Sequence, residues 1–230
     1  MQDDAILAEQ RQYYRERAAE YDEWFLRQGR YDRGPSHRAE WFDEISRVEV
    51  ALKEGLPAGD VLELACGTGL WTRHLAGDHR HVVAVDASPE AIAINQQRVN
   101  SDRVEYVIAD LFSWEPPAAR FDAVVFAFWL SHVPGARFDA YWRAVRSALK
   151  PGGRVFFVDS LREQTSTALD HGHLDDSGMA ARLLNDGRSF RVVKVFYQPA
   201  ALQQRLVDSG WRGWVRSTGK FFLYGIVEPM

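Results

Sequence analysis

Three groups of residues have the types and spacing to do chemistry. The first is Glu63-Leu-Ala-Cys-Gly67-Thr-Gly69, where two glycines let backbone approach a ligand and a following helix offers free N–H groups to a carboxylate. The second is a pair of acids, Asp86 and Asp110, each closing a short apolar run. A carboxylate at such a strand end can accept from both hydroxyls of a ribose, or help a backbone N–H hold an adenine. The third is a downstream set of cations, Arg182, Arg188 and Lys194, suited to the oxygens of a phosphonate, phosphate or carboxylate. His132 adds a side chain that titrates near neutrality, the best candidate base if a hydroxyl or amine is the nucleophile.

These groups sit at the ends of regular elements. Apolar runs at 61–65, 82–86, 104–109, 123–127 and 155–159 read as buried strands separated by segments of helical length. That alternation predicts an α/β fold, a parallel sheet with helices on both faces. Ser88-Pro89-Glu90 supplies an N-cap, a proline at the first helical position and an acid in the first turn. Pro151-Gly-Gly153 reads as a tight turn into the fifth strand. Upstream, 3–28 reads as one amphipathic helix on the spacing of Ile6, Tyr13, Ala18, Tyr21, Trp24 and Phe25. A second helix, capped by Ser36, carries Trp41, Ile45, Val48 and Leu52 as one stripe before Gly55. Downstream, 189–197 reads as a strand, with Arg188 and Lys194 on one face, and 199–209 as a helix ended by Gly210. Residues 211–217 and 220–227 form the arms of a hairpin around Thr218-Gly219.

Bulk properties narrow the setting. At 230 residues the chain reads as a single domain, with 1–55 a helical cap, 56–160 a ligand-binding core, and 161–230 a substrate-side insert plus hairpin. A net charge of −4 argues against a nucleic-acid partner held by bulk charge. The lone Cys66 excludes an intrachain disulfide, reads as a small buried residue and fits a reducing cytoplasm. No apolar run has the length of a bilayer span, and the acidic first residues lack a signal-peptide pattern. The expected partner is therefore a small molecule, with the chain a monomer or homodimer. His171 and His173, among acids, are a weak metal signal, and no metal is expected.

The glycine loop alone also suits an NAD(P) dehydrogenase, whose G-x-G-x-x-G fingerprint needs a small residue at position 72. Trp71-Thr72 stands there instead. Together, the Glu63 to Gly69 loop, Val85-Asp86-Ala87-Ser88, Ala109-Asp110-Leu111-Phe112 and Leu149-Lys-Pro-Gly-Gly-Arg-Val-Phe-Phe-Val-Asp159 resemble the successive motifs of class I S-adenosylmethionine (SAM)-dependent methyltransferases. That resemblance implies a Rossmann-like fold with a seven-stranded, mostly parallel sheet ending in an antiparallel hairpin. It also implies SAM as methyl donor and S-adenosylhomocysteine (SAH) as product. By position, Glu63, Gly67 and Gly69 would lie along the methionine moiety, with Ala65 and Trp71 beside them. Asp86 and Ala87 would meet the ribose, Asp110 and Leu111 the adenine, and Ala127 and Phe128 the amine, with Tyr14 reaching in from the cap.

A narrower resemblance runs through nearly the whole chain. Tyr13-Tyr14, Tyr31, Trp129-Leu-Ser-His-Val-Pro134, Arg182 and Asp186-Gly-Arg-Ser-Phe-Arg-Val-Val-Lys-Val-Phe196 are similar to the phosphonate O-methyltransferases of dehydrophos biosynthesis. It implies that Tyr13, Tyr31, His132, Arg182 and Lys194 line a substrate pocket under an N-terminal helix. The expectation is O-methylation of a small anionic metabolite, phosphonate-like or carboxylate. The alternatives are an N- or O-methyltransferase of an aromatic or other natural-product scaffold, an NAD(P)-binding oxidoreductase and a non-catalytic cofactor binder. Methylation of base amines calls for an N/D-P-P-Y/F/W motif where this chain has Phe126-Ala-Phe-Trp-Leu130.

Overall fold

The computed structural model describes residues 2–77, 80–172 and 177–230. His173, Asp175 and Asp176, part of the weak metal signal, lie outside them. The apolar runs form strands β1 (Gly59–Leu64), β2 (Arg80–Asp86), β3 (Val104–Ile108), β4 (Phe121–Ala127) and β5 (Leu149–Ser160). With β8 (Trp211–Ser217) and β9 (Phe222–Pro229) they make one seven-stranded sheet, ordered β3-β2-β1-β4-β5-β9-β8. The pairs β1–β2, β1–β4, β2–β3 and β4–β5 are parallel, and β9 runs antiparallel to both its neighbours. The hairpin expected at the end is thus present. Pro151-Gly-Gly153 is not a turn ahead of β5 but an irregularity within it, where the register against β4 shifts between Phe121 and Ala123.

Both faces of the sheet are covered, as continuous apolar strands require. On one face, α6 (Phe138–Ala148) and α7 (Pro199–Asp208) bury Phe138, Trp142, Val145, Leu202 and Leu206 against Phe126, Phe157 and Trp211. On the other, α3 (Pro35–Gly55) buries the stripe of Trp41, Ile45, Val48 and Leu52. Pro35 opens α3 two residues earlier than the Ser36 cap implied, with Gly34 at φ +89 ahead of it. The short α4 (Thr72–Leu75) follows the β1 loop, and in α5 (Pro89–Val99) the Ser88 hydroxyl accepts from the Ala91 N–H, as the sequence led us to expect.

The two larger departures both concern the cover. Residues 3–28 form two helices, α1 (Gln2–Glu16) and α2 (Tyr21–Leu26), because the chain turns at Arg17 through a short 3-10 segment. The strand expected at 189–197 stops at Val193 and does not join the main sheet. Among the described residues it pairs, as β7 (Ser189–Val193), only with β6 (Met179–Leu183), and α1 packs on this ribbon through Tyr13, Leu184, Phe190 and Val192. Arg188, just outside β7, faces outward to Glu16 and Asp186 rather than sharing a site with Lys194.

Candidate active site

In a parallel sheet the crevice lies where neighbouring strands send their connections in opposite directions, here between β1 and β4. Both strands leave the sheet through a residue in the left-handed region, Ala65 (φ 56) and Phe128 (φ 56). Holding non-glycine residues there costs about 1–3 kcal/mol each and bends the chain away from the strand ends. The result is a cavity of about 750 Å³ lined by Ala65, Gly67, Thr68, Asp86, Ala87, Ser88, Asp110, Leu111, Phe112, Ala127, Phe128 and Trp129, and closed by Gln10, Arg11, Tyr14 and Tyr21 from the cover. Asp86 is held in place by N–H donation from Gly67 and Ser88, each at 2.9 Å. Burial raises its pKa, and those N–H groups oppose the rise. Asp110 accepts from the Phe112 N–H at 3.0 Å and from Arg11 of α1 at 2.9 Å.

Three residues expected beside this ligand lie behind the loop instead. Glu63 points into the protein, bonds Thr72, and is pushed up to about 8 by burial, with one carboxyl oxygen left unpartnered. Gly69 (φ +87) backs onto Asn95 at a spacing that leaves no room for a Cβ. Trp71 packs edge-on against Phe25 and Phe128. Asn95 shapes the loop from below, donating to the Gly67 carbonyl and, at 2.8 Å, to Thr72, while accepting from Tyr106. Cys66 is buried beneath the loop, where burial pushes its thiol up, as suits a packing residue.

A second cavity, of about 550 Å³, adjoins the first. It gathers Tyr31, His132, Arg182 and Lys194, the expected substrate-side residues, and adds Arg17, Trp24, Ser160, Ser166, Thr167, His171 and Phe196. Tyr13 is absent from it. Neighbouring residues on a helix diverge by about 100°, so Tyr14 faces the cavities while Tyr13 turns into the packing against Phe190. Lys194 is buried, donating to the Ser131 hydroxyl at 2.8 Å and standing 3.6 Å from the buried Asp159. Arg17 donates to the Tyr31 hydroxyl at 3.1 Å. Among the described residues no carboxylate pairs with Arg17 or Arg182. His171 accepts at Nε2 from the Leu183 N–H, and burial beside three guanidinium groups pushes it down to about 3. It is therefore a neutral acceptor at neutral pH. Among the described residues no three or more His, Cys, Asp or Glu cluster as a metal site would need.

Tyr14, Tyr21, Phe128 and His132 line both cavities and form the wall between them. His132 Nδ1 lies 2.6 Å from the Val193 carbonyl, which can only accept, so that nitrogen carries the proton. Nε2 then accepts from the Tyr14 hydroxyl at 2.8 Å. Burial, then the charges of Lys194, Arg182 and Arg17, hold His132 well below its ordinary pKa. Burial likewise raises Tyr14. The pair is uncharged and resists becoming an ion pair, which makes it a poor sink for a substrate proton.

Known proteins similar to this chain are methyltransferases. A model described as a methyltransferase domain matches residues 61–153. Solved structures of DhpI, one with SAH and one with SAM and HEP, are 42% and 41% identical, with TM-scores of 0.77 and 0.79. Each covers 97% of this chain, which covers 97% and 98% of them in turn. The chain belongs to the class I SAM-dependent methyltransferases. A ubiquinone biosynthesis O-methyltransferase of Xanthomonas axonopodis pv. citri is 33% identical over 71% of this chain and 67% of its own length. A demethylmenaquinone methyltransferase of Clavibacter sepedonicus is 36% identical over 56% of this chain. The match spans about half of that relative, 53% of its length.

The residues of this methyltransferase fit SAM in the first cavity. Two strand-end carboxylates, Asp86 and Asp110, can take hydroxyl and amino donors, and the Phe112 and Trp129 rings, in tilted contact with centroids 5.4 Å apart, give the cavity an apolar wall for a flat base. Bound there, SAM supplies a methyl group on a sulfonium, already activated for transfer. The residues that sequence reasoning missed, Arg17 and Asn95 above all, lie outside the strand-end motifs. Arg17 resembles any solvated arginine of an amphipathic helix until the break after α1 turns it inward. Among the described residues no helix is long and apolar enough to cross a membrane.

Proposed function

We propose that this methyltransferase transfers the methyl group of SAM to an oxygen of a small anionic acceptor that arrives already ionised. The observation that carries the reading is the second cavity, where Arg17, Arg182 and Lys194 gather across a shared wall from the cavity bordered by Asp86 and Asp110. A buried guanidinium without a carboxylate is unfavourable unless an anion joins it. An ionised oxygen needs no base, in keeping with a neutral and proton-resistant Tyr14–His132 pair. Tyr31, Arg182 and Lys194 then orient the acceptor, His132 and Tyr14 hold the shape of the wall, and α1 excludes water; positioning and desolvation supply the rate. The DhpI structure that holds SAM and HEP together supports a chain of this fold binding a second small molecule along with SAM. Tyr21, Trp24, Phe128 and Phe196 on the same cavity favour a second reading, an aromatic-scaffold acceptor.

A panel of phosphonates, phosphates, carboxylates and phenols assayed for SAH release tests both. Turnover confined to phenols would leave only the second reading. With an accepted anion, Arg182→Ala and Lys194→Ala should each raise acceptor KM by at least about tenfold, the worth of one charge-assisted hydrogen bond, while SAH affinity changes little. Equal damage to both affinities would make these residues structural.

A further inference from the structure

Arg17 belongs to none of the motifs that announce the fold, yet its guanidinium stands in the acceptor cavity with no carboxylate partner among the described residues. The residue is 8% exposed, and one of its five guanidinium N–H groups is spent on the Tyr31 hydroxyl. The rings of Tyr13, Tyr21 and Tyr31 lie 5.5, 5.1 and 5.8 Å from its guanidinium carbon, holding the charge by cation–π attraction without neutralising it. Around it stand Arg182, Lys194, His132, His171 and Tyr14. Both histidines are neutral acceptors, as their Nε2 bonds to Tyr14 and Leu183 require. Asp159 offsets Lys194. Of three permanent cations facing the cavity, two have no counter-charge among the described residues.

We propose that Arg17 is a specificity-determining residue that makes the cavity select acceptors bearing two negative charges over those bearing one. The inference rests on the anionic-acceptor reading and deepens it. One charge satisfies the Arg182 and Lys194 side, and the second is required by Arg17. The reaction then changes the match in a defined way. The acceptor oxygen forms a bond to the methyl carbon as the carbon–sulfur bond breaks, and that bond's electron pair stays on sulfur. The sulfonium becomes a neutral thioether and the acceptor falls from two negative charges to one. The ester leaves Arg17 uncompensated, so product binds more weakly than substrate without any movement of the fold.

The test is calorimetric. A set of alkyl- and arylphosphonates, each beside its own monomethyl ester, is titrated into SAH-loaded protein at a pH where the free phosphonates are doubly ionised. Wild type should bind the dianion about 10- to 100-fold tighter than the ester, the range of a charged hydrogen bond. In Arg17→Gln that ratio should fall towards one, with SAH affinity unchanged. Arg17→Lys, which keeps the charge and loses the fork, should retain most of it. Lowering pH through the second ionisation of the phosphonate should weaken binding to wild type and leave Arg17→Gln nearly flat, a response that loss of packing alone does not produce. A wild-type ratio near one, or equal loss of both ligands in Arg17→Gln, overturns the role of Arg17 and leaves the anion pocket standing. If wild type binds no member of the set, this inference falls, and the anionic-acceptor reading is decided separately by the phosphate and carboxylate arms of the turnover panel.

Discussion

Gly67 and Gly69 stand two residues apart in the same loop, and the structure gives them opposite jobs. A Cβ on Gly69 would lie 2.5 Å from the Asn95 side-chain oxygen and 3.2 Å from the Asn95 Cα, at φ +87. The left-handed conformation costs about 1–2 kcal/mol for a residue with a Cβ. Forcing Asn95 aside adds about 1–3 kcal/mol of overpacking, and strains its hydrogen bonds to Gly67, Thr72 and Tyr106. Gly69→Ala should therefore lose about 2–5 kcal/mol of stability, the sum of those two ranges. A Cβ on Gly67 meets nothing within 4 Å, at φ +51, but Gly67 lines the SAM cavity. Gly67→Ala should lose only the conformational part, about 1–2 kcal/mol, and should weaken SAH binding by about tenfold or more as the methyl intrudes on the ligand. Urea unfolding of the unliganded proteins gives the first comparison, and calorimetric titration with SAH the second. The division of labour is wrong if Gly67→Ala is the less stable of the two, or if Gly69→Ala loses more SAH affinity than Gly67→Ala.

Two further perturbations probe the wall and the acceptor cavity. Tyr14→Phe strands the buried His132 Nε2 and should cost about 1–3 kcal/mol in urea, while kcat for an ionised acceptor falls by less than about tenfold, short of the 10²–10⁴ that loss of an acid–base group brings. A hundredfold loss together with a new pH limb would restore His132 to the role of general base. His171, held near 3 when folded, contributes stability that is present above its unfolded pKa of about 6.5 and is lost as pH falls, because the unfolded chain binds the proton first. Wild type should thus lose about 2 kcal/mol more than His171→Gln between pH 7 and pH 5; parallel stability curves would contradict that.

What could be read from the sequence follows a physical line. Strands buried on both faces announce themselves as apolar runs, so β1, β2, β4 and β5 were legible, as were the acids at their ends and the Ser88 cap. Terminal hairpin residues alternate and carry a turn, so β8 and β9 were legible too. The cover was less so. The break after α1 at Arg17 contains no glycine or proline, so periodicity ran straight through it into α2. β7 has strand composition, but nothing local says that it pairs with β6 instead of the sheet, and that choice turns Arg188 outward and Lys194 inward. Within the glycine loop, sequence could not separate residues that face the ligand from those that support the backbone. Glu63, Gly69 and Trp71 belong to the second kind, and Asn95, which bonds the Gly67 carbonyl and Thr72 from α5, gave no signal because an asparagine within a helix looks like surface.

The electrostatics of the two cavities bear on why so little acid–base machinery is needed. Asp86 and Asp110 border one side of the wall, and Arg17, Arg182 and Lys194 the other. Tyr14, Tyr21, Phe128 and His132, which form the wall, carry no charge. A cationic donor suits the first side and an anionic acceptor the second, and methyl transfer between them removes one unit of charge from each. Water opposes such a reaction, since it solvates separated charges better than the neutralising transition state. Fixed side chains under a closed cover replace that solvation with partners already in place. On this view a protonated His132 would be harmful: it would place a positive charge in the wall between acceptor and sulfonium, where it would hold the nucleophile's charge back from the donor. Burial beside three cations is the means by which the fold keeps that imidazole neutral.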